Sequence, residues 1–431
     1  MSFSEWEEVK LGQIVDIQID NRGRNPDKYL DYSNYPVIDN YLIKNQKYPD
    51  MTNVNRYIDK DNFESFLRGY LEKDDVLITL VGNGIGNVTM SPSSNSVIIQ
   101  NTIGLRTNNT ASNLFLYYLL LYNQDEIKNF DRGTSQPSIR KTDLFNLELK
   151  IPPLQEQKAI AHILSTLDEK IEANNKINKT LEEMAQAIFK HWFVDFEFPN
   201  EDGEPYKSSG GEMVPSELGP IPKGWKTSKI ENLTEVVSKG TTPRKKDMVN
   251  SMDSKIIKFL KVKDIQDNGK IDISNVEHIP RSIHENQLKR SMLKEKDILL
   301  SIAGTIGRVS YVNNGLSDTN INQAIAFIRL KDKEKYFPLT FYHIKSRRFQ
   351  ESIQSKIVQG VQANVSLSVI KNETVIVPEM EVLVNFNSIM DNIIKQIDLK
   401  YIENNMLVSI RDTILPKLMS GEIRVPLEED E

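Results

Sequence analysis

The sequence predicts an α+β protein in which two pseudo-symmetric α+β domains are separated by two long antiparallel coiled-coil helices. Three observations predict it. Residues 133–195 overlay residues 360–421 at a fixed offset of 226 positions, with Gln136 over Gln362, Asn146 over Asn372 and Pro152 over Pro378. A period of that length marks a duplicated domain plus helix, since solenoid and propeller repeats are far shorter. Two segments carry apolar residues at alternating spacings of four and three, the pattern of helices that pair along a seam. The stretches before them hold short β-type runs broken by Asn, Gly and Asp, each followed by a helical-looking run.

The first domain is expected over residues 1–150. It opens on Trp6-Glu7-Glu8-Val9-Lys10-Leu11, turns at Gly23-Arg24-Asn25-Pro26, and contains the β-type run Val76-Leu77-Ile78-Thr79-Leu80 and a helical stretch from Leu114 to Tyr122. Residues 151–197 form the first long helix. Its seam is Ile160, Leu164, Leu167, Ile171, Asn174, Asn178, Leu181, Ala185, Ile188 and Trp192. Residues 198–222, rich in Pro, Gly, Ser and acids, read as an exposed linker.

The second domain, 223–378, repeats the plan with Trp225, the turn Gly240-Thr241-Thr242-Pro243, the run Ile298-Leu299-Leu300-Ser301-Ile302 and a helical stretch from Leu339 to Phe349. Residues 379–425 form the second long helix, with the seam Phe386, Met390, Ile393, Ile397, Lys400, Asn404, Leu407, Arg411, Ile414 and Leu418, and residues 426–431 form an acidic tail. Both seams turn polar at the middle, which costs stability but penalises slipped registers. About 40 residues at a 1.5 Å rise make rods of roughly 60 Å.

Charge divides unevenly along the 431 residues. The net value of −6 hides a second domain with 27 Lys+Arg against 16 Asp+Glu, whereas residues 1–150 carry 16 against 20. One strongly basic domain is the footprint of a polyanionic partner, although a Lys-rich solvated surface reads the same way on charge alone. There is no cysteine, so disulfides, zinc–thiolate sites and cysteine nucleophiles are excluded. No apolar run approaches the ~18 residues that span a bilayer, and the start resembles no signal peptide. A cytoplasmic location is the expectation.

Catalytic patterns are missing. Gly82-Asn83-Gly84-Ile85-Gly86 follows an apolar run but has the wrong spacing for a dinucleotide fingerprint, and no helix follows it. A tight turn is the better reading, as for its counterpart Gly304-Thr305-Ile306-Gly307. No phosphate-cradling G-x-x-x-x-G-K-[ST] loop or H-E-x-x-H zinc pair is present. The five histidines form no ligand cluster, so no metal site is expected. Ile151-Pro152-Pro153-Leu154 lacks the polar first residue and aromatic last residue of a base-holding methyltransferase loop, and reads as a helix start.

What remains are polar loops that mix guanidinium, ammonium, amide and hydroxyl groups. Arg and Lys can bond guanine O6/N7, Asn and Gln can bond adenine N6/N7, and lysines neutralise phosphates. The candidates are Asn21, Arg22 and Arg24 in the first loop, and Lys239, Thr241, Thr242, Arg244, Lys245 and Lys246 in its counterpart. Gln136 and Arg140 lie in one Gly-containing loop, Gln362 and Asn364 in the matched one, and Arg308 follows the second glycine turn. A Gln that ties down its own loop explains Gln136 and Gln362 equally well.

The ordered strings resemble the DNA specificity (S) subunit of type I restriction–modification systems. The residues that carry this are Ile151-Pro152-Pro153-Leu154-Gln155-Glu156-Gln157 at the first helix start, and Ala187-Ile188-Phe189-Lys190-His191-Trp192-Phe193-Val194-Asp195-Phe196 at its end. Further matches are Pro205-Tyr206-Lys207-Ser208-Ser209-Gly210-Gly211, Ile221-Pro222-Lys223-Gly224-Trp225 and the close Pro416-Lys417-Leu418-Met419-Ser420-Gly421-Glu422-Ile423-Arg424-Val425. Val377-Pro378-Glu379-Met380-Glu381 departs from the pattern and keeps only its proline.

The resemblance implies two target-recognition domains that read the halves of a split double-stranded DNA sequence. It implies seam helices that dock two modification subunits, with restriction subunits joining them. S-adenosylmethionine, ATP and Mg2+ would then belong to those partners, with no cofactor and no catalysis on this chain. Two other readings stay open on the residues alone: an adhesive dimer whose heads bind protein or glycan, and a small-molecule enzyme resting on the glycine turn.

Overall fold

The computed structural model describes residues 5–133, 135–244, 246, 255–357 and 363–426. It divides into two compact units, Met1–Asn175 with Ile402–Glu431, and Lys176–Tyr401. The two long helices, Leu154–Phe193 and Met380–Met419, are each 40 residues long. Each unit therefore contains one α+β domain and half of each helix.

In the first unit the domain is built on a four-stranded antiparallel sheet, in the order Val15–Ile19, Thr102–Thr107, Val76–Thr79, Val88–Met90. Val76, Leu77 and Ile78 are all fully buried, so this strand is covered on both faces, as an unbroken apolar run requires. The helix Asn113–Tyr122 is apolar all round, and Phe115 to Leu120 are all buried beside the sheet, the fate of a helix with no polar face. A two-stranded ribbon, Glu7–Lys10 with Glu148–Ile151, closes the domain just before the first long helix begins.

The second unit repeats this frame with the order Thr234–Lys239, Ile325–Leu330, Ile298–Ser301, Val309–Tyr311 and the ribbon Lys226–Lys229 with Thr374–Val377. The copies differ beside the main sheet. The second has a three-stranded sheet, Glu277–Pro280, Lys255–Leu260 and Asn320–Ile321. At the matched place the first has a short pair, Tyr35–Pro36 with Tyr57–Ile58, and a single parallel bridge from Val37 to Val97.

Within the first unit the helix halves run antiparallel. Asp168 faces Arg411, Lys170 faces Glu403, and Asn174 bonds Asn404. Every expected seam position is buried or half-buried. The polar middle is now explicit: Asn174 Nδ2 donates to Asn404 Oδ1 at 2.9 Å, and Asn404 Nδ2 donates to Asn175 Oδ1 at 2.9 Å. Asn178 is buried with no hydrogen-bond partner for either amide atom among the described residues.

In the second unit Phe386 lies among Phe189, Trp192 and Phe193, the last at 4.7 Å between ring centroids. The segment after the first helix is largely exposed but anchored. Phe196 and Phe198 are buried against Trp225, and Phe198 stacks on Tyr206 at 4.6 Å. That aromatic cluster explains the Phe-x-Phe and Tyr spacing in a stretch otherwise composed as a linker.

The long helices also grip the domains directly. Tyr118 donates to Asp168 at 2.6 Å in the first unit, and Tyr311 donates to Asp398 at 2.9 Å in the second. Lys345 pairs with Glu182 there as well.

Candidate functional site

The glycine segments are hairpin turns. Gly82, Gly84 and Gly86 all take positive φ between the strands Val76–Thr79 and Val88–Met90, a geometry that suits glycine. The matched turn at Gly304 and Gly307 joins Ile298–Ser301 to Val309–Tyr311. A strand follows each turn, so the nucleotide-binding alternative loses its structural basis.

Against each turn lies part of a loop of the same unit, Ser138–Ile139 in the first and Asn364–Val365 in the second. Val81 bridges Ser138 in the first unit and Ala303 bridges Asn364 in the second. Ile139 N–H donates to Leu80 O at 2.8 Å, and at the matched place Val365 N–H donates to Ile302 O at 2.9 Å. Asp131 closes the first loop by accepting the N–H groups of Ser138 and Gly133 at 2.8 and 2.9 Å, and these bonds hold its carboxyl below the usual range.

Each junction borders an open cleft. The first, about 740 Å3, is lined by Asn40, Tyr41, Lys44, Asn83, Asn87 and Gln136, among others, with no acidic residue. The second, about 450 Å3, is lined by Lys261, Lys263, Gly304, Asn322 and Ala363, with no acid among the described lining residues. Tyr41 of one corresponds to Lys263 of the other at the 222-residue offset that also relates Gly82 to Gly304.

The structure sorts the candidate residues. Asn21 is corrected: it is 1% exposed, its Oδ1 accepts from the N–H groups of Arg68 and Gly69, and its Nδ2 donates to Gly69 O. It fastens two loop segments together and has no exposed edge to offer a ligand. Arg22 is also committed internally, with Nε and Nη2 on Asp20 at 2.9 and 2.8 Å. That pairing brings the Asp20 carboxyl down to about 2. Arg308 spends Nε on Asp267 at 2.7 Å and Nη1 on Val262 O at 3.2 Å, so it is a brace beneath the second cleft. Arg24 is half-buried over the Phe66 ring.

Gln136 and Arg140 are exposed. Gln136 lies against Gly82, its Nε2 3.1 Å from where a Cβ on that glycine would sit. Lys239, Arg244, Lys246 and Asn364 are exposed, whereas Thr241 accepts from Arg290 at 3.3 Å and Thr242 donates to Gln323. Lys245 and Gln362 lie outside the described residues. The seam side chains are buried or half-buried in the fold. The exposed apolar residues of the helices are others, among them Met184, Val384, Met406 and Ile410.

Sequence reasoning missed Asn40, Asn83, Lys261 and Lys263. The available signal was the glycine turn itself, which the 222-residue offset ties to its counterpart just as 226 ties the Gln loops. Among the described residues no group of acids and histidines could hold a metal, and no helix is long and apolar enough to cross a membrane.

These features define a duplicated scaffold that presents two equivalent polar clefts of different chemistry. The chain belongs to the family described as type I restriction modification DNA specificity domain, which matches residues 3–183 and 222–407. It is thus a specificity subunit, the DNA sequence-recognition component of a type I restriction–modification system. The HindI specificity subunit of Haemophilus influenzae is 24% identical over 97% of this chain and 100% of its own length. The MjaIX specificity subunit of Methanocaldococcus jannaschii is 28% identical over 72% of this chain and 69% of its own. The crystal structure of the S subunit from M. genitalium shares the fold, with a TM-score of 0.57 at 15% identity over 97% of this chain and 96% of that one.

Proposed function

We propose that each α+β domain reads one half of a divided double-stranded DNA sequence, with the cleft beside its glycine turn at the reading face. The observation that carries this is the cleft itself, built twice on one frame and lined differently each time. A duplicated frame suits a target in two parts, and unlike linings suit an asymmetric one. Of the sequence candidates among the described residues, Gln136, Arg140, Lys239, Thr242, Arg244, Lys246 and Asn364 are exposed and remain for DNA contact.

In the same proposal the chain performs no chemistry. Two adenine-methylating modification subunits, holding S-adenosylmethionine, dock on the exposed faces of the long helices, and ATP-dependent restriction subunits that use Mg2+ join them in the cytoplasm. The test is selection of a randomised duplex library by the full chain together with its modification subunits. Two enriched blocks separated by a fixed unspecified stretch are expected. A single continuous block, or none, overturns the proposal.

A further inference from the structure

The two clefts offer a base different groups. In the first, the side-chain amides of Asn83 and Gln136 are exposed and have no hydrogen-bond partner among the described residues. Of the neighbouring groups, Tyr41 Oη donates to Asn53 O at 2.8 Å and Asn87 Nδ2 donates to Ile43 O at 3.0 Å, while the exposed ammonium of Lys44 can only donate. A paired donor and acceptor on one planar amide matches the N6/N7 edge of adenine.

In the second cleft the position of Tyr41 is taken by Lys263, exposed on the one-turn helix Val262–Asp264. Lys261 beside it is neutralised by Glu277, and Arg308 by Asp267. Among the described residues of this cleft, Lys263 is therefore the cation without an ion pair. An ammonium donates only, and the acceptor-rich major-groove edge is that of guanine, O6 and N7.

We propose that the first domain specifies an A·T pair through Asn83 and Gln136, and that the second specifies a G·C pair through Lys263. This rests on the proposal that the domains read DNA. It goes further by stating which half-site carries which kind of base pair and which side chains set it.

The experiment repeats the duplex selection with the assembled complex carrying Asn83→Ala, Gln136→Ala, Lys263→Ala or Lys263→Arg, all substitutions of exposed side chains. Gln136→Ala and Asn83→Ala are expected to relax discrimination at an A·T position of one block by about 5- to 150-fold, leaving the other block intact. Lys263→Ala is expected to relax a G·C position of the other block by a similar factor, and Lys263→Arg to retain it. The inference is overturned if Lys263→Ala weakens all sequences alike and lowers the salt slope by about one, the behaviour of a phosphate contact. It is equally overturned if the amide variants relax a G·C position or none. Both results would leave two enriched blocks for the unsubstituted chain, whereas loss of those blocks would strike the underlying DNA proposal instead.

Discussion

Asp168 offers the sharpest test of how the long helices are locked to the first domain. Its Oδ2 accepts the Tyr118 hydroxyl at 2.6 Å and its Oδ1 accepts Arg411 Nη1 at 2.8 Å. The Asp168 and Arg411 side chains are 12% and 27% exposed. Deleting one partner of a buried pair costs about 3–5 kcal/mol, because the other is left uncompensated. Arg411 retains a bond to Asp412 at 2.8 Å on its outer side, and solvent screens part of the charge. The lower end, about 3 kcal/mol, is therefore expected for Asp168→Ala. Asp168→Asn keeps an acceptor for Tyr118 and should cost roughly half as much. Replacing Asp168 and Arg411 together by leucine should recover most of the loss, since no charge is then stranded.

A chain of two units has no single unfolding free energy, so the assay is hydrogen exchange resolved by segment. Asp168→Ala should lower protection of residues 113–122 and 404–415 by roughly 100-fold and leave residues 337–345 unchanged. A loss below about 1 kcal/mol, or a double variant worse than the single one, would show that this pair does not lock the helices to the domain.

Three further outcomes are expected. His343 is buried, Nε2 has no hydrogen-bond partner among the described residues, and burial brings its pKa down to about 4. Its folded value lies below the unfolded one, so the stability it contributes is intact above about pH 6.5 and is lost as pH falls toward 4, in total about 3 kcal/mol. His343→Leu should flatten that acid limb in denaturant titrations of the second unit; an unchanged limb contradicts the assignment. Gly82→Ala forces a φ of +89° on alanine and drives its Cβ against the Gln136 amide. It should cost about 1–2 kcal/mol, read as lowered hydrogen-exchange protection of residues 76–90, and weaken DNA selection at the same position as Gln136→Ala. Asn178→Leu removes two buried amide atoms without partners and should raise stability by about 1–3 kcal/mol, against a decrease if that amide is satisfied.

The helix pair was legible because a seam pattern sustained over 40 residues has one structural solution, and the glycine segments because positive φ and strand flanks are local properties. The polar loops were only partly legible. Whether a guanidinium faces a ligand or its own fold depends on which acid tertiary structure brings beside it. For Arg22 that acid is two residues away, at Asp20, and could have been suspected. For Arg308 it is Asp267, 41 positions distant, and nothing in the sequence joins them. Asn21 failed for the same reason: a loop amide that bonds the backbone at Arg68 and Gly69 has the same local sequence as one that points outward. The clefts were invisible because each is assembled from segments distant in sequence, such as Asn40–Lys44, Gly82–Asn87 and Ser135–Pro137 in the first.

In the proposed function, two divergent copies on one frame read the two halves of one DNA site. Mapping every methylated adenine in DNA from a host that expresses the chain with its modification subunits tests it most directly. The expected result is a single asymmetric motif of two specified blocks at fixed spacing, with one methylated position in each. Methylation spread over all adenine contexts, or confined to one uninterrupted block, would contradict it.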